Sequence, residues 1–216
     1  MKIKVIQDII DILRGKKNKV KDKNNDFPIR LSFNERNFLL NHIKGAQRYL
    51  EYGAGGSTFL ALMNTNISKV ISVESDANWL KYLRNWAQIR ENESTRLSFI
   101  HTDIGKTGEW GVPLENSKSD LFPNYIEAPY HKDEKYDVIF IDGRFRVACA
   151  LKAVLHAGPN LRILMHDFND RPQYHCILEF LDIIDTADTM ALFKVKENFD
   201  KDKLLALYEK YKYIYV

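Results

Sequence analysis

The sequence predicts an α/β fold with a mostly parallel β-sheet covered by helices on both faces. Short β-branched runs alternate with segments of helical periodicity, the pattern of parallel βαβ units joined by right-handed crossovers. The inner runs VIFI and ILM are apolar throughout, as strands buried on both faces need to be. The last two strand-like runs lie close together in the sequence, so they can form an antiparallel pair.

The individual elements follow from these patterns. The predicted strands are RYLEYG (48–53), SKVISVES (68–75), LSFIHTD (97–103), YDVIFIDG (136–143), LRILMHD (161–167), TMALFKVK (189–196) and YKYIYV (211–216). The predicted helices are ERNFLLNHI (35–43), TFLALMNT (58–65), NWLKYLRNWAQIRE (78–91), RVACALKAVLHA (146–157), QYHCILEFLDII (173–184) and DKLLALYEKY (202–211).

The connection between the third and fourth strands, residues 105–135, is unusually long and rich in glycine, proline and aromatic residues. Loops of this length are typical of lids over binding sites. Its aromatic residues Trp110, Tyr125 and Tyr130 are predicted either to stack on an acceptor or to pack the loop onto the protein.

Size and composition favour one domain. The chain has 216 residues, of which 45% are hydrophobic, which suffices for a single core. We predict this domain over residues 31–216, preceded by an amphipathic helix and a lysine-rich linker over residues 1–30. Asp8 and Asp11 interrupt the opening apolar run, which excludes a membrane span or a secretory signal there. The helix is predicted to pack on the domain or on a second copy in a homodimer, with a peripheral membrane anchor as the alternative.

Charge and cysteine content exclude several other classes. The 32 basic and 29 acidic residues leave a net charge of only +3, so no nucleic-acid partner is expected. The two cysteines, Cys149 and Cys176, rule out a disulfide framework and suit a reducing compartment, so we predict a cytoplasmic protein.

Acidic residues end five consecutive predicted strands. In an open parallel sheet, ligands bind beyond the carboxyl ends of the strands, where the strand order reverses. These residues are therefore the candidate site, and helix N-capping is their alternative role. They are Glu51 with the glycine loop, Glu74, Asp103, Asp142 and, after the fifth strand, His166 with Asp167.

The glycine loop EYGAGGST follows the first strand and contains Gly53, Gly55 and Gly56. It is not a P-loop, because Ser57 rather than a lysine follows the last glycine, and it does not match the dinucleotide fingerprint G-x-G-x-x-G. Glu51, directly before the loop, would repel a pyrophosphate but attract an ammonium or sulfonium group. The loop therefore favours a cationic cofactor over a phosphate.

Two further acids predict that the cofactor contains adenosine. Glu74 ends the second strand 19 positions after Gly55 (74 less 55), where an acid is placed to bind both ribose hydroxyls. This feature alone suits NAD equally well. Asp103, after the third strand, adds an acceptor suited to the exocyclic amine of adenine.

Together, the motifs ExGxGxST, VESD, the TD after the third strand and FIDG at the fourth resemble those of class I S-adenosylmethionine-dependent methyltransferases, over residues 31–216. The resemblance implies a Rossmann-like, doubly wound seven-stranded sheet, mostly parallel with an antiparallel C-terminal hairpin. The segments DIGKTGEWGVPL, IDGRFRVACAL and HDFNDRPQYH resemble a bacterial branch of this superfamily and imply a role in carbohydrate modification at the cell surface.

The resemblance also implies S-adenosylmethionine as cofactor and assigns its contacts. The two loop glycines would admit the methionine moiety, Glu51 would lie near its ammonium group, Glu74 would bind the ribose, and Asp103 the adenine. The complete predicted set is Glu51, Gly53, Ala54, Gly55, Ser57, Glu74, Asp103 and Asp142, of which Asp142 faces the methionine end. Ser57 stands where a further glycine is usual.

The predicted reaction is O-methylation of a small-molecule or carbohydrate acceptor. A hydroxyl acceptor needs a base or a metal ion, and the catalytic candidates are His166, Asp167 and Asp142. His166 is either the base or a hydrogen-bonded residue at the strand end. Asp142, Asp167 and Asn169 (or Asp170) resemble the oxygen ligands of a magnesium site. Helix capping and metal-free acid–base chemistry are the alternatives for this group.

The two arginines in DGRFR, Arg144 and Arg146, follow the fourth strand. They are candidates for binding an anionic acceptor, with salt bridges on the helix surface as the alternative. The sequence leaves two other functions open: an NAD-dependent oxidoreductase, which Glu74 permits and Glu51 opposes, and a non-catalytic binding protein built on the cofactor fold.

Overall fold

The computed structural model describes residues 27–130 and 134–215. The predicted N-terminal helix and lysine-rich linker lie outside these residues, apart from residues 27–30. The division between residues 1–30 and 31–216 therefore stays a prediction. In the described part of the chain, no helix combines the length and apolar character that crossing a membrane requires.

The structure contains a seven-stranded sheet and seven α-helices among the described residues. The helices are α1 (Phe33–His42), α2 (Gly56–Met63), α3 (Ala77–Leu83), α4 (Ala87–Glu93), α5 (Phe122–Glu127), α6 (Arg146–Leu155) and α7 (Lys201–Tyr211). The strands are β1 (Arg48–Tyr52), β2 (Lys69–Glu74), β3 (Leu97–His101), β4 (Val138–Ile141), β5 (Arg162–Met165), β6 (Leu181–Ala187) and β7 (Met190–Val195).

The strand order is β3-β2-β1-β4-β5-β7-β6. The first five strands are parallel, and β7 pairs antiparallel with both β5 and β6. This arrangement confirms the predicted fold class. Because β1 lies between β2 and β4, the connections after β1 and β4 leave the sheet on opposite faces. A crevice therefore opens beyond the carboxyl ends of these two strands.

Two hydrophobic cores cover the two faces of the sheet. Alternate residues of one strand point to opposite faces, so Tyr49 joins one core whereas Leu50 and Tyr52 join the other. Helices α1 to α4 pack with the core that contains Tyr49, and α5 to α7 pack with the other. The strands VIFI and RILM are buried along nearly their whole length, as their apolar composition predicts.

The C-terminal hairpin is built from different segments than the sequence predicts. The run QYHCILEFLDII, predicted as one helix, forms a 3₁₀ helix (Pro172–Glu179) and then the start of β6. Buried Ile177, Phe180 and Leu181 have helical spacing, which explains the error. The antiparallel partner of β7 is therefore β6.

In the run YKYIYV, predicted as the last strand, the described residues 211–215 instead complete α7 and the turn after it. Asp200 caps this helix by accepting hydrogen bonds from the backbone of Asp202 (3.0 Å) and Lys203 (3.1 Å). Leu204 and Tyr208 continue the buried stripe at a spacing of one helical turn, so Tyr211 extends the helix.

Candidate functional site

The floor of the crevice is a close contact between the loops that follow β1 and β4. Gly53 has a φ of +94°, and a Cβ at this position would lie 2.9 Å from the backbone of Gly143. A Cβ on Gly143 would in turn lie 2.9 Å from the Gly53 nitrogen and would collide with the Tyr125 hydroxyl. Only glycine fits at either position, so the two loops meet backbone to backbone.

The other two glycines of the loop differ from each other. A Cβ on Gly56 would lie 2.8 Å from the Ile29 Cα, so this glycine admits the segment that precedes α1. A Cβ on Gly55 would have only Trp79 Cζ2 near it, at 4.0 Å. Packing within the protein therefore explains why residue 56 is a glycine. It does not explain Gly55, because the space beside that residue is open.

Glu51 lies fully buried beneath the loop. Its carboxylate accepts hydrogen bonds from the hydroxyls of Ser57 (2.7 Å), Thr58 and Tyr49 (3.2 Å). Burial raises the pKa of Glu51 to about 7, although these hydroxyls act in the opposite direction. Glu51 and Ser57, both predicted as cofactor contacts, thus bind each other and fix the start of α2.

Glu74 joins the ends of β1 and β2. One carboxylate oxygen accepts from the Ala54 backbone nitrogen (3.2 Å), and the other from those of Ser75 (2.6 Å) and Asp76 (2.9 Å). The side chain is buried, and burial raises the pKa of Glu74 against the effect of these hydrogen bonds. The structure therefore places this acid directly beside the glycine loop, as the 19-residue spacing predicts (74 less 55).

Asp103 lies at the exposed rim of the crevice. Its carboxylate accepts from the Gly105 backbone nitrogen (2.8 Å) and pairs with Lys118 (3.0 Å), and both contacts lower the pKa of Asp103. Lys118 belongs to the long connection after β3, so Asp103 anchors that connection in the structure. Its predicted contact with adenine stays a prediction.

The aromatic residues of the long connection have different environments. Tyr125 and Tyr130 are buried in the core, which favours the packing role for them. Trp110 is 69% exposed, has a φ of +59° and lies 5.4 Å from the Arg30 guanidinium carbon. Its neighbour Gly111 approaches the hydroxyl of Ser75, directly after Glu74. The tip of this connection therefore extends over the end of β2.

The three catalytic candidates come together at the ends of β4 and β5. His166 Nδ1 lies 3.0 Å from Asp142 and 3.3 Å from Asp167, and Nε2 lies 3.3 Å from Glu35. Burial alone would lower the pKa of His166, but the hydrogen bond to Asp142 and the three carboxylates raise it to about 9. His166 is therefore an imidazolium at neutral pH.

Glu35 is a member of this cluster that sequence reasoning missed. It forms a capping box with Ser32 at the start of α1, and its other oxygen accepts from Thr189 at the β6–β7 turn. The signal S-x-x-E was present in the sequence and predicts the helix start. The contact with His166 depends on tertiary structure, so the motif alone does not reveal it.

Arginine side chains occupy the remaining sides of the cluster. Arg146, with a side chain only 5% exposed, pairs with Asp142 (3.2 Å) and Asp167 (2.9 Å). Arg171 also pairs with Asp167 at 2.9 Å. Arg146 therefore forms salt bridges, the alternative that the sequence left open, although its own side chain is buried and does not lie on the helix surface.

Three possible metal-binding groups lie close together here: Asp142, His166 and Asp167 each have a ligand atom within 4.8 Å of the others. One contact opposes a divalent cation at this position, because Arg146 bonds both aspartates. Asn169 donates its amide to the Asp188 carbonyl (2.8 Å), which commits its nitrogen to the β6–β7 turn.

The strand order, the glycine loop after β1 and the acid that ends β2 together define the class of protein. The structure has the fold of the class I S-adenosylmethionine-dependent methyltransferases, which confirms the family prediction. Among solved structures, a methyltransferase-like protein from Silicibacter pomeroyi has a TM-score of 0.75 and 29% sequence identity, over 87% of this chain and 98% of that one. No protein-family model matches the sequence, and no curated protein matches it significantly.

More distant structures share the fold. The O-methyltransferase from Bacillus cereus, in complex with S-adenosylhomocysteine, has a TM-score of 0.52 at 17% identity, over 89% of this chain and 91% of that one. The N-methyltransferase NodS from Bradyrhizobium japonicum, also in complex with S-adenosylhomocysteine, has a TM-score of 0.51 at 13% identity, over 89% of this chain and 99% of that one.

Proposed function

We propose that this protein is an S-adenosylmethionine-dependent methyltransferase that acts on an oxygen of a small-molecule or carbohydrate acceptor. The observation that carries the proposal is the position of Glu74, whose carboxylate bonds the glycine loop at the Ala54 nitrogen. An acid beside a glycine loop, next to the point where strand order reverses, suits the ribose of an adenosine cofactor. Bound S-adenosylhomocysteine in two structures of the same fold supports the choice of cofactor.

The residues present fit this cofactor. The open space above Gly55 is a cradle that a Cβ would fill, and packing within the protein does not require a glycine there. Gly53, Ala54 and Gly55 would offer backbone to the methionine moiety. Glu51 and Ser57 would act from beneath by fixing the loop, Glu74 would bind the ribose and Asp103 the adenine edge, with Asp142 near the methionine end.

The mechanism requires alignment more than chemical activation by the protein. When bound, S-adenosylmethionine supplies a methyl group already activated by the positive sulfur. The protein must hold the acceptor oxygen in line with that group and exclude water. The connection after β3 would cover the crevice, and the position of Gly111 near Ser75 supports this role.

Among the catalytic candidates, we assign the proton acceptor to Asp142. His166 has a pKa of about 9 and already holds its proton at neutral pH, which makes it a poor base. Asp142 is 30% exposed, and its contacts with His166 and Arg146 both use Oδ1. Its Oδ2 can take the proton of an acceptor hydroxyl. His166 and Asp167 would position Asp142.

The assignment of Asp142 as proton acceptor corresponds to the metal-free acid–base chemistry that the sequence left as an alternative. Arg146 supplies the positive charge that the aspartates need, and a cation would have to displace it. The predicted magnesium set Asp142, Asp167 and Asn169 would therefore require a rearrangement of the cluster. The two free cysteines, Cys149 and Cys176, support the predicted cytoplasmic location.

The first experiment is calorimetric titration of the purified protein with S-adenosylmethionine, S-adenosylhomocysteine and NADH, each with and without magnesium. We expect saturable binding of the first two without dependence on magnesium. Binding of NADH alone would favour the oxidoreductase, and binding of none would favour a non-catalytic protein. Incubation with labelled S-adenosylmethionine and a panel of sugars and sugar acids then identifies the acceptor.

A further inference from the structure

Arg144 lies on a rigid turn between the end of β4 and α6. On one side of it, Gly143 packs against Gly53. On the other, the buried Phe145 adopts a φ of +57°, which is unfavourable for a bulky aromatic residue. Backbone strain of this kind concentrates at functional sites, and here it holds Arg144 beside the catalytic candidate Asp142.

The guanidinium of Arg144 differs from that of Arg146 in forming no salt bridge with a described residue. In residues 27–130 and 134–215, no carboxylate oxygen lies within 4.0 Å of its nitrogens, whereas Arg146 pairs with two aspartates. Its Nε is buried and makes no hydrogen bond within the described structure. A buried donor without a partner is costly, and a cation more so.

Arg144 lies between the loop contact at the floor of the crevice and the charged cluster at the ends of β4 and β5. Its electrostatic neighbours are Arg146, Asp142 and the phenols of Tyr125 and Tyr174. Tyr174 lies in the 3₁₀ helix after β5, whereas Tyr125 adjoins the contact between Gly53 and Gly143. Asp142 is already bonded to Arg146 and His166, so Arg144 forms no ion pair of its own here.

We propose that Arg144 binds a negatively charged group, a carboxylate or phosphate, on the methyl acceptor. A guanidinium forms paired hydrogen bonds with either anion, and such a bond would also satisfy its buried Nε. The inference rests on the proposed function and narrows its substrate class to anionic acceptors such as uronic acids or sugar phosphates. The cofactor's own carboxylate is the competing source of the anion.

The test compares wild type with Arg144→Gln and Arg144→Lys. Inorganic phosphate, glucuronate and its neutral counterpart glucose are titrated calorimetrically, with and without saturating S-adenosylhomocysteine. Wild type should bind phosphate and glucuronate, but not glucose, in both conditions. Arg144→Gln should weaken anion binding by at least about tenfold and leave S-adenosylhomocysteine binding within about twofold. Arg144→Lys should bind anions with intermediate affinity.

Arg90→Gln is the matched control, because it removes the same charge from an exposed position on α4 and should change neither affinity. Equal anion binding by wild type and Arg144→Gln would overturn the proposal, as would failure of wild type to bind either anion. If S-adenosylhomocysteine prevents phosphate binding, and if Arg144→Gln weakens the binding of S-adenosylhomocysteine, Arg144 binds the cofactor and not the acceptor. If wild type does not bind S-adenosylhomocysteine, the proposed function is contradicted. The role of Arg144 is then still tested by the anion titrations performed without S-adenosylhomocysteine.

Discussion

The charged cluster around His166 makes a quantitative prediction about pH and stability. His166 contacts Asp142 from β4, Asp167 after β5 and Glu35 from α1, while Arg146 from α6 bonds both aspartates. Unfolding would separate these groups and return the histidine to its ordinary pKa. The protein should therefore become less stable as pH rises through the range in which only the folded state keeps the proton.

The magnitude follows from the two pKa values. A rise of the His166 pKa from 6.5 in the unfolded chain to about 9 in the folded protein corresponds to about 3 kcal/mol. This stabilisation is fully present below pH 6.5, falls as pH rises, and is gone above about pH 9. The side chain is only 17% exposed, so solvent screens the cluster weakly.

The assay is urea denaturation at closely spaced pH values between about 7 and 9. The lower limit avoids the titration of Glu51. Burial raises the pKa of Glu51 from 4.5 to about 7, so the stability contributed by its proton falls as pH rises between these values. The upper limit avoids Cys149 and the buried tyrosines, whose pKa values burial raises. Wild type should lose about 2 kcal/mol across this range.

His166→Gln is the diagnostic variant and His175→Gln its control. The first removes the titrating group, so its stability should change little with pH in this range, even though the variant is less stable at pH 7. The His175 ring bonds the Phe168 carbonyl rather than a carboxylate, so His175→Gln should keep the wild-type slope. A flat wild-type profile, or the same slope in His166→Gln, would refute a protonated His166.

Four further predictions concern Glu74, the glycine loop and the thiols. Glu74→Gln should fold but weaken S-adenosylhomocysteine binding in calorimetry by at least about tenfold; unchanged affinity would remove this residue from the cofactor site. Gly53→Ala should lower the free energy of unfolding by about 2 kcal/mol because of its positive φ and its contact with the β4 loop. Gly55→Ala should unfold like wild type yet bind the cofactor poorly, and the reverse pattern in the pair would contradict the loop analysis. In the native protein, a thiol reagent should modify half-buried Cys176 and spare buried Cys149; rapid labelling of both would show that the core opens readily.

Much of the parallel half of the sheet could be predicted from sequence because its signals are local. Apolar runs of strand length, each ended by an acid, mark β1, β2 and β4, and the helices between them have their own periodicity. The prediction of the hairpin segments was wrong for a physical reason. The segment before β6 has apolar residues at helical spacing because a 3₁₀ helix packs them into the core, and the strand that follows is an edge strand with little burial.

In the candidate site, too, some residues could be predicted from local sequence signals and others could not. Glu74 was predictable because one spacing fixes it relative to the glycine loop. The environment of His166 was not, because its partner Glu35 lies 131 positions away (166 less 35) and reaches it only after α1 packs beside the β6–β7 turn. The absence of a salt bridge to Arg144 is equally non-local, since the neighbouring Asp142 bonds Arg146 and His166 instead.

These contacts give the segment before β1 a part in both halves of the site. Ile29 packs on Gly56 at the start of α2, and Arg36 holds this segment by donating to the Ile29 (2.9 Å) and Leu31 (2.8 Å) carbonyls. A few residues later, Glu35 contacts His166. The same short stretch therefore packs on the cofactor loop and contributes a charge to the proposed acceptor side, so a change in its position would alter the loop and the charge cluster together.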